Sequence, residues 1–450
     1  MNKKVMALAV AGVLTAPAAF AQSSNVQLYG RAVLGIDSYS AEGATVGATD
    51  YQNRIRVFDN SSRVGLRGTE DLGNGLKAIF QIETGVAVDS GQTQGAGGVG
   101  NASKGTWASR DSFVGLDSGF GRLTFGRQSI YWANGELAQF AANYINTEIP
   151  WTNGTNLGRI SRATAGAGPV ARQSNTVQYT TPTFAGFNAT LSYSPNAQES
   201  VQHNSCLPAI NTTTSGQVVN LANAPASGQS TITTSNITTT GTSCAIGSGS
   251  DTDGQIWGAT VRGRFGNFHG QFDYVQNENN SGISTINGLG AVINSVPQAE
   301  FTGYKAGIGW KYMPGANVSF IWVRSESNNA LGVARGNEVT QNGYTVNWEH
   351  TFGNVQVLAQ YGWLDSMKGC NGTETVSCGS TKASAYMVGA RYLLSKRTWV
   401  FASWNLIDNQ QNQFSDYTGD AYTSVYANGA ILTPYGADPE VWALGIFHAF

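Results

Sequence analysis

Along much of the chain apolar and polar residues alternate one for one, and the alternation stops and restarts at turn signals. Between Asn25 and Asp37, Val26, Leu28, Gly30, Ala32, Leu34 and Ile36 share one side, with Gln27, Tyr29, Arg31 and Asp37 on the other. A period of two marks a strand with one greasy and one wet face. Arg63–Thr69 brings Arg63, Gly65 and Arg67 onto one face. The turn Asp71–Gly75 follows, and its Asn-Gly supplies the positive φ that tight hairpins need. Gly75–Glu83 then alternates without a gap, with Leu76, Ala78, Phe80 and Ile82 opposite Lys77, Gln81 and Glu83. The clearest hairpin is Gln255–Gln276, where Trp257, Val261 and Phe265 oppose Thr260, Arg262 and Arg264, and Phe272 and Tyr274 oppose His269, Gln271 and Asp273. Tyr304, Ile308 and Trp310, then Phe320, Trp322, Val346 and Trp348, continue the greasy face. In Thr398–Ile407 both sides are apolar, so the facing is ambiguous.

The unit that repeats is strand, short turn, strand, long polar stretch. Turns are expected at Asp71–Gly75, Ser118–Gly121, Thr181–Gly186, Arg264–Phe268, Tyr312–Asn317, Thr351–Asn354 and Leu393–Arg397. The gaps between pairs, rich in Gly, Ser, Thr and Asn, are 41–60, 85–106, 128–171, 195–253, 277–299, 326–337, 365–381 and 409–437. The count predicts sixteen antiparallel strands with seven short turns on one rim and eight long loops on the other. That is the layout of a transmembrane β-barrel with short periplasmic turns. Trp and Tyr cluster near strand ends, as an interfacial girdle requires. A soluble β-sandwich would put polar residues on its outer faces, whereas here that face is Trp, Phe, Val and Leu.

One gap differs from the rest. Gln128–Ala171 holds about forty residues without a strand pattern, a length more typical of functional loops than of connectors. It carries Glu136 and Glu148, with Arg110, Arg127 and Arg172 at its flanks. The expectation is a loop that narrows a channel whose wall carries the arginines.

Composition supports the barrel. Charged residues make up 12% of the chain, against roughly 25% in ordinary soluble proteins. Mean hydropathy is still −0.19, because greasy and wet positions cancel. No run of ~18 apolar residues offers a transmembrane helix. At the N-terminus, Asn2-Lys3-Lys4, the apolar Val5–Leu14 and the small-x-small Ala19-Phe20-Ala21 make 1–21 a secretory signal peptide, leaving 22–450 as the barrel. Removing Lys3 and Lys4 takes the formal charge from −2 to −4, which argues against a nucleic-acid partner. Cys206, Cys244, Cys370 and Cys378 all fall in loops, and an oxidising compartment permits disulfides. The favoured pairs are Cys206–Cys244 and Cys370–Cys378, each within its own loop. CxxC spacing is absent, so no metal site is expected.

Gly95–Gly100 matches G-x-G-x-x-G but lacks the strand before and helix after that a dinucleotide site needs. His203, His269, His350 and His448 form no metal-ligand spacing, and nothing marks a Ser-His-acid site. Neither a cofactor nor an enzyme activity is expected. Segment 207–250 is low-complexity Ser, Thr, Gly and Asn, read as an external loop.

Specific motifs now come together. They are Val26-Gln-Leu-Tyr-Gly30, Ser62–Leu76, Phe113-Val-Gly-Leu116, Gly119–Arg127, Leu394–Thr398 and the ending Gly445-Ile-Phe-His-Ala-Phe450. In this order and spacing the chain resembles the Gram-negative general (diffusion) porins, of the beta-proteobacterial branch, over nearly all of 22–450. The resemblance implies a homotrimer in outer-membrane lipid that lets ions and small hydrophilic solutes diffuse passively. It implies a third loop folded inward, facing an arginine ladder. Arg63, Arg110 and Arg172 stand where that ladder is expected, Arg31 and Arg67 are neighbours, and Glu136 and Glu148 are the loop acids. Phe450 resembles the terminal aromatic that the barrel-insertion machinery reads. Phe447 and Ala449 depart from the pattern, since relatives are often basic there. Two other functions fit the chain less well. One is surface adhesion through loops 195–253 and 409–437. The other is a substrate-specific channel with inward aromatics, of which Tyr29 is nearly the sole clear case.

Overall fold

A computed structural model of the chain describes residues 22–47, 50–60, 62–89, 107–130, 172–195, 255–279, 284–286, 292–295, 299–328, 338–370, 378–413, 415 and 435–450. Alternation translates into strands as expected. The first half of the wall holds β1 (Gln22–Glu42), β2 (Tyr51–Asp59), β3 (Arg63–Gly73), β4 (Leu76–Gly85), β5 (Ser112–Ser118), β6 (Gly121–Ser129), β7 (Arg172–Thr180), β8 (Phe187–Pro195), β9 (Gln255–Phe265) and β10 (Phe268–Asn279). A small hairpin, β11 (Ser284–Ile286) with β12 (Val292–Ser295), stands apart from the main sheet. The wall resumes with β13 (Ala299–Met313), β14 (Ala316–Asn328), β15 (Glu338–Phe352), β16 (Val355–Leu364), β17 (Ala383–Leu393), β18 (Thr398–Asn409) and β19 (Asp438–Ala449).

Every pairing is antiparallel between neighbours, and β1 closes the sheet on β19 from Arg31↔Ala449 to Glu42↔Asp438. Closure leaves no open edge, so backbone polar groups are paired within the wall, as a lipid environment demands. The main sheet has 17 segments, yet the barrel has sixteen strands. β2 and β3 both pair with β1, in register Leu34↔Asp59 and Arg31↔Arg63, and so form one wall strand with a break at 60–62. Side chains clasp that break. Asp59 accepts from the Ser62 backbone N–H at 3.1 Å, and Ser62 Oγ accepts from the Val33 N–H at 2.9 Å.

Three features differ from the sequence-based expectation, one being the small hairpin β11–β12 inside the expected gap 277–299. The first strand runs to Glu42 rather than Asp37, and the gap 41–60 contains β2. Tyr51–Asp59 hides its strand because Ile55 and Val57 are its only outward apolar residues. The partners facing inward include Arg54 and Arg56, so the segment looks polar throughout. All seven short turns are present; at the first, Asn74 and Gly75 have φ of 54° and 77°, the left-handed pair that a two-residue hairpin needs.

The outer surface is the greasy face. Leu28 is 60% exposed, Ile55 74%, Val114 61% and Leu444 61%, a contiguous apolar belt far larger than a soluble protein presents to water. Trp and Tyr outward positions run from Tyr179 on β7 through Trp257, Trp310, Trp348 and Tyr361 to Trp442 on β19. On β1–β6 the outward belt is Val, Leu, Ile, Ala, Gly and Phe, while Tyr29 and Tyr39 turn inward and Tyr51 packs on Tyr39. The ambiguous strand resolves as well: Trp399, Phe401 and Ile407 face inward, Val400 outward. Tyr29 is therefore not the nearly solitary luminal aromatic that the sequence led us to expect. Phe58, Trp399, Phe401 and Phe447 join it on the inner wall.

Residues 131–171 of the third loop, which is expected to fold inward with Glu136 and Glu148, lie outside the described residues, as do Cys206, Cys244 and segment 1–21. Cys370 and Cys378 are joined by a disulfide, in the connection from β16 to β17.

Candidate functional site

The period of two on β1 and β3 turns Arg31, Arg63 and Arg67 to the inside, with Val64 and Leu66 to the outside. Arg31 and Arg63 are Cα partners across the two strands. Like charges placed directly opposite repel, so the site needs an acid, and β4 supplies one. Glu83 is the Cα partner of Gly65, whose missing side chain leaves room for the Tyr29 ring beside the carboxylate. It is almost fully buried. Its Oε1 accepts from Arg110 Nε at 2.5 Å, and its Oε2 lies 3.5 Å from Arg63 Nε. The Tyr29 hydroxyl donates to the same Oε2 at 3.1 Å. The backbone fixes the geometry, because the Arg110 N–H donates to the Glu83 carbonyl and Ser112 Oγ accepts from the Glu83 N–H, at 3.0 and 3.1 Å.

A second clasp stands next to the first. Arg172, opening β7, donates from Nε to Asp111 Oδ2 at 2.6 Å. Asp111 Oδ1 accepts from the Ser129 N–H at 2.6 Å and from its hydroxyl at 2.7 Å. Burial pushes the Asp111 carboxyl up, but Arg172 and the Ser129 donors outweigh it and hold it below the ordinary carboxylate range. Arg127 ties the same corner, donating to the Ser109 carbonyl and to Ser174 Oγ, each at 3.0 Å. The ends of the long third connection, at β6 and β7, are therefore pinned to the segment before β5.

The structure thus gathers Arg31, Arg63, Arg110 and Arg172 on one sector of the inner wall. Arg67 stands on the same face of β3, donating to Gln27 Oε1 at 2.9 Å. Glu83 and Asp111 are the acids that the site search in the sequence missed. Glu83 is on the wet face of its strand and Asp111 follows Arg110 directly, both at the wall and outside the loop where the acids were expected. At the chain end, Phe450 exchanges backbone hydrogen bonds with Gly30, 3.1 Å each way. Its ring crosses Gly30 so closely that a Cβ there would stand 2.4 Å from it.

A closed antiparallel barrel with a greasy exterior and a guanidinium cluster on its inner wall is the architecture of a transmembrane β-barrel. The chain belongs to the Gram-negative porin family, whose model matches residues 7–412. It is 32% identical over 196 residues to the major outer membrane protein P.IB of Neisseria gonorrhoeae, covering 43% of this chain and 49% of that protein. An outer membrane porin protein of Bordetella pertussis is 33% identical over 210 residues, covering 44% and 49%. The chain thus spans about half the length of the curated relatives it matches. Among solved structures, an anion-selective porin from Comamonas acidovorans superposes with a TM-score of 0.64 at 18% identity, covering 95% of this chain and 100% of that one. The trimer form of OmpT from Vibrio cholerae gives 0.55 at 12% identity, covering 95% and 100%. The bilayer this barrel occupies is the outer membrane.

Proposed function

We propose that this chain forms a water-filled channel through which ions and small hydrophilic solutes cross passively, with a preference for anions. The observation that carries the proposal is the charge of the inner wall. On β1–β4, Arg31, Arg54, Arg56, Arg63 and Arg67 turn inward beside Asp37 and Glu83. The chain as a whole is formally negative, at −2, so the positive balance of this sector reflects placement and not composition. Charged side chains lining a pore bias which ions pass without a binding step, and arginine keeps its charge at any working pH. Glu136 and Glu148 are assigned to the opposite side of the field through the family resemblance. The test is planar-bilayer recording of the purified, folded protein. Discrete conductance steps that scale with salt support the channel; an adhesion protein on an inert barrel would leave the bilayer silent.

The channel is further proposed to work as a homotrimer. The support is the outward surface of β1–β6, apolar but without the Trp and Tyr found on β7–β19. Interfacial aromatics sit at the headgroup level of a lipid boundary, so their lack over six neighbouring segments fits a boundary with protein. Segment 1–21 is assigned to export and Phe450 to recognition by the barrel-insertion machinery, the latter supported by its closing bonds to Gly30.

A further inference from the structure

Among the described residues, four inward arginines lie over aromatic rings, and these sit on one sector, from β17 through β1 to β3. Arg67 Cζ is 5.1 Å from the centroid of Tyr29, and Arg54 Cζ is 5.3 Å from that of Tyr39. Arg31 stands 5.8 Å from Phe447, and Arg391 4.6 Å from Trp399. Trp399 and Phe447 are Cα partners whose rings stack at 3.7 Å, with planes 7° apart. Arg391, Trp399, Phe447 and Arg31 therefore make one continuous stack across β17, β18, β19 and β1. It meets the arginine cluster at Arg31.

Glycines on neighbouring strands let the Tyr29 ring, and the Phe401 ring of β18, lie down on the wall. A Cβ on Gly65 would stand 2.5 Å from the Tyr29 ring, and one on Gly445 2.5 Å from Phe401. A ring laid flat keeps the bore open and presents either its own face or a guanidinium resting on it. Arg67 is exposed, and Tyr29 and Arg31 are half-buried, so these three form the accessible part. Trp399 and Phe447 are nearly covered and serve as backing.

We propose that this sector is a recognition surface for anions that carry a flat conjugated ring, aromatic carboxylates being the plainest case. The inference rests on the channel reading above and names a substrate class for it. A guanidinium offers paired N–H donors that match a carboxylate. A tyrosine face or a guanidinium plane accepts a stacked ring. One aromatic carboxylate meets both on Arg67 and Tyr29, whereas chloride uses the charge alone.

The test compares benzoate with cyclohexanecarboxylate, equal in charge and similar in size but without the π system, as inhibitors of chloride current through the reconstituted protein. Benzoate should reduce the current at about two- to fivefold lower concentration, the advantage of a single cation–π or stacking contact. Tyr29→Leu should bring the two acids together, and Tyr29→Phe, which keeps the ring, should preserve the difference. Phe447→Leu, which removes the backing from Arg31, is the second variant should Tyr29→Leu fail to assemble, and it should narrow the difference too. Equal inhibition by the two acids in the unmodified protein overturns the inference. So does a wild-type ratio in both leucine variants. A protein that carries no current at all overturns the channel reading and this inference with it, which keeps the two failures distinct.

Discussion

At the scale of single residues, the inner wall is governed by how each guanidinium is answered. Glu83 answers Arg63 and Arg110 together, so one carboxylate sets the charge balance of the cluster. Glu83→Gln should shift ion preference further toward anions, and it should also lower stability, since breaking a buried ion pair costs about 3 kcal/mol. Reversal potentials and the heat-dissociation temperature of the protein check the two halves separately. Asp111 makes a pH prediction. Its carboxyl is held below the ordinary range, chiefly by Arg172 against the pull of burial. A depressed folded value means that the clasp is complete above the unfolded value, ~3.9, and is lost only as pH falls through the folded one. The stability difference between the native protein and Asp111→Asn should therefore be the same at pH 7 and at about pH 4.5. A difference that shrinks in that interval would contradict the assignment.

At the scale of elements, sixteen strands and seven turns were legible in the sequence because a strand between lipid and water has to alternate. β2 escaped because Arg54 and Arg56 flank Ile55, leaving two outward apolar residues to signal nine residues of strand. The luminal aromatics escaped for another reason. Trp399 reads as core or surface until its register with Phe447 is known, and a ring seated over Gly445 depends on pairing that no local pattern reveals. The acids of the cluster were half legible, since the wet face of β4 shows Glu83 but not its partner from the segment before β5. Loops should contribute little to the wall. The disulfide Cys370–Cys378 closes 8 residues of sequence separation, and a loop of that size is worth about 2–3 kcal/mol at most. Thr381 already holds the same connection, accepting from the Met367 N–H and donating to the Cys378 carbonyl, each at 2.8 Å. Reduction should leave far-UV circular dichroism of the folded barrel unchanged; a clear loss of strand signal would show that the loop supports the wall.

At the scale of the whole molecule, the two halves of the outer surface make different demands. Tryptophan is at home against lipid, as on β9–β19, but would wedge open a close protein contact. Leu28→Trp with Val57→Trp on the bare half should therefore abolish the trimer band on native gels, while Val261→Trp on β9 should leave it intact. Equal behaviour of the two variants would place the bare half against lipid. The central claim is that fixed wall charges set what passes. Reversal potential across a potassium chloride gradient, compared between the native protein and Arg63→Ala with Arg110→Ala, tests it most directly. The native channel should prefer chloride. The double variant should move toward potassium, because Glu83 then stands without its two guanidiniums. The shift should be larger near 0.1 M than near 1 M salt, where the Debye length falls from about 10 to about 3 Å. A native channel that prefers potassium, or a double variant with unchanged preference and normal conductance, would contradict the account.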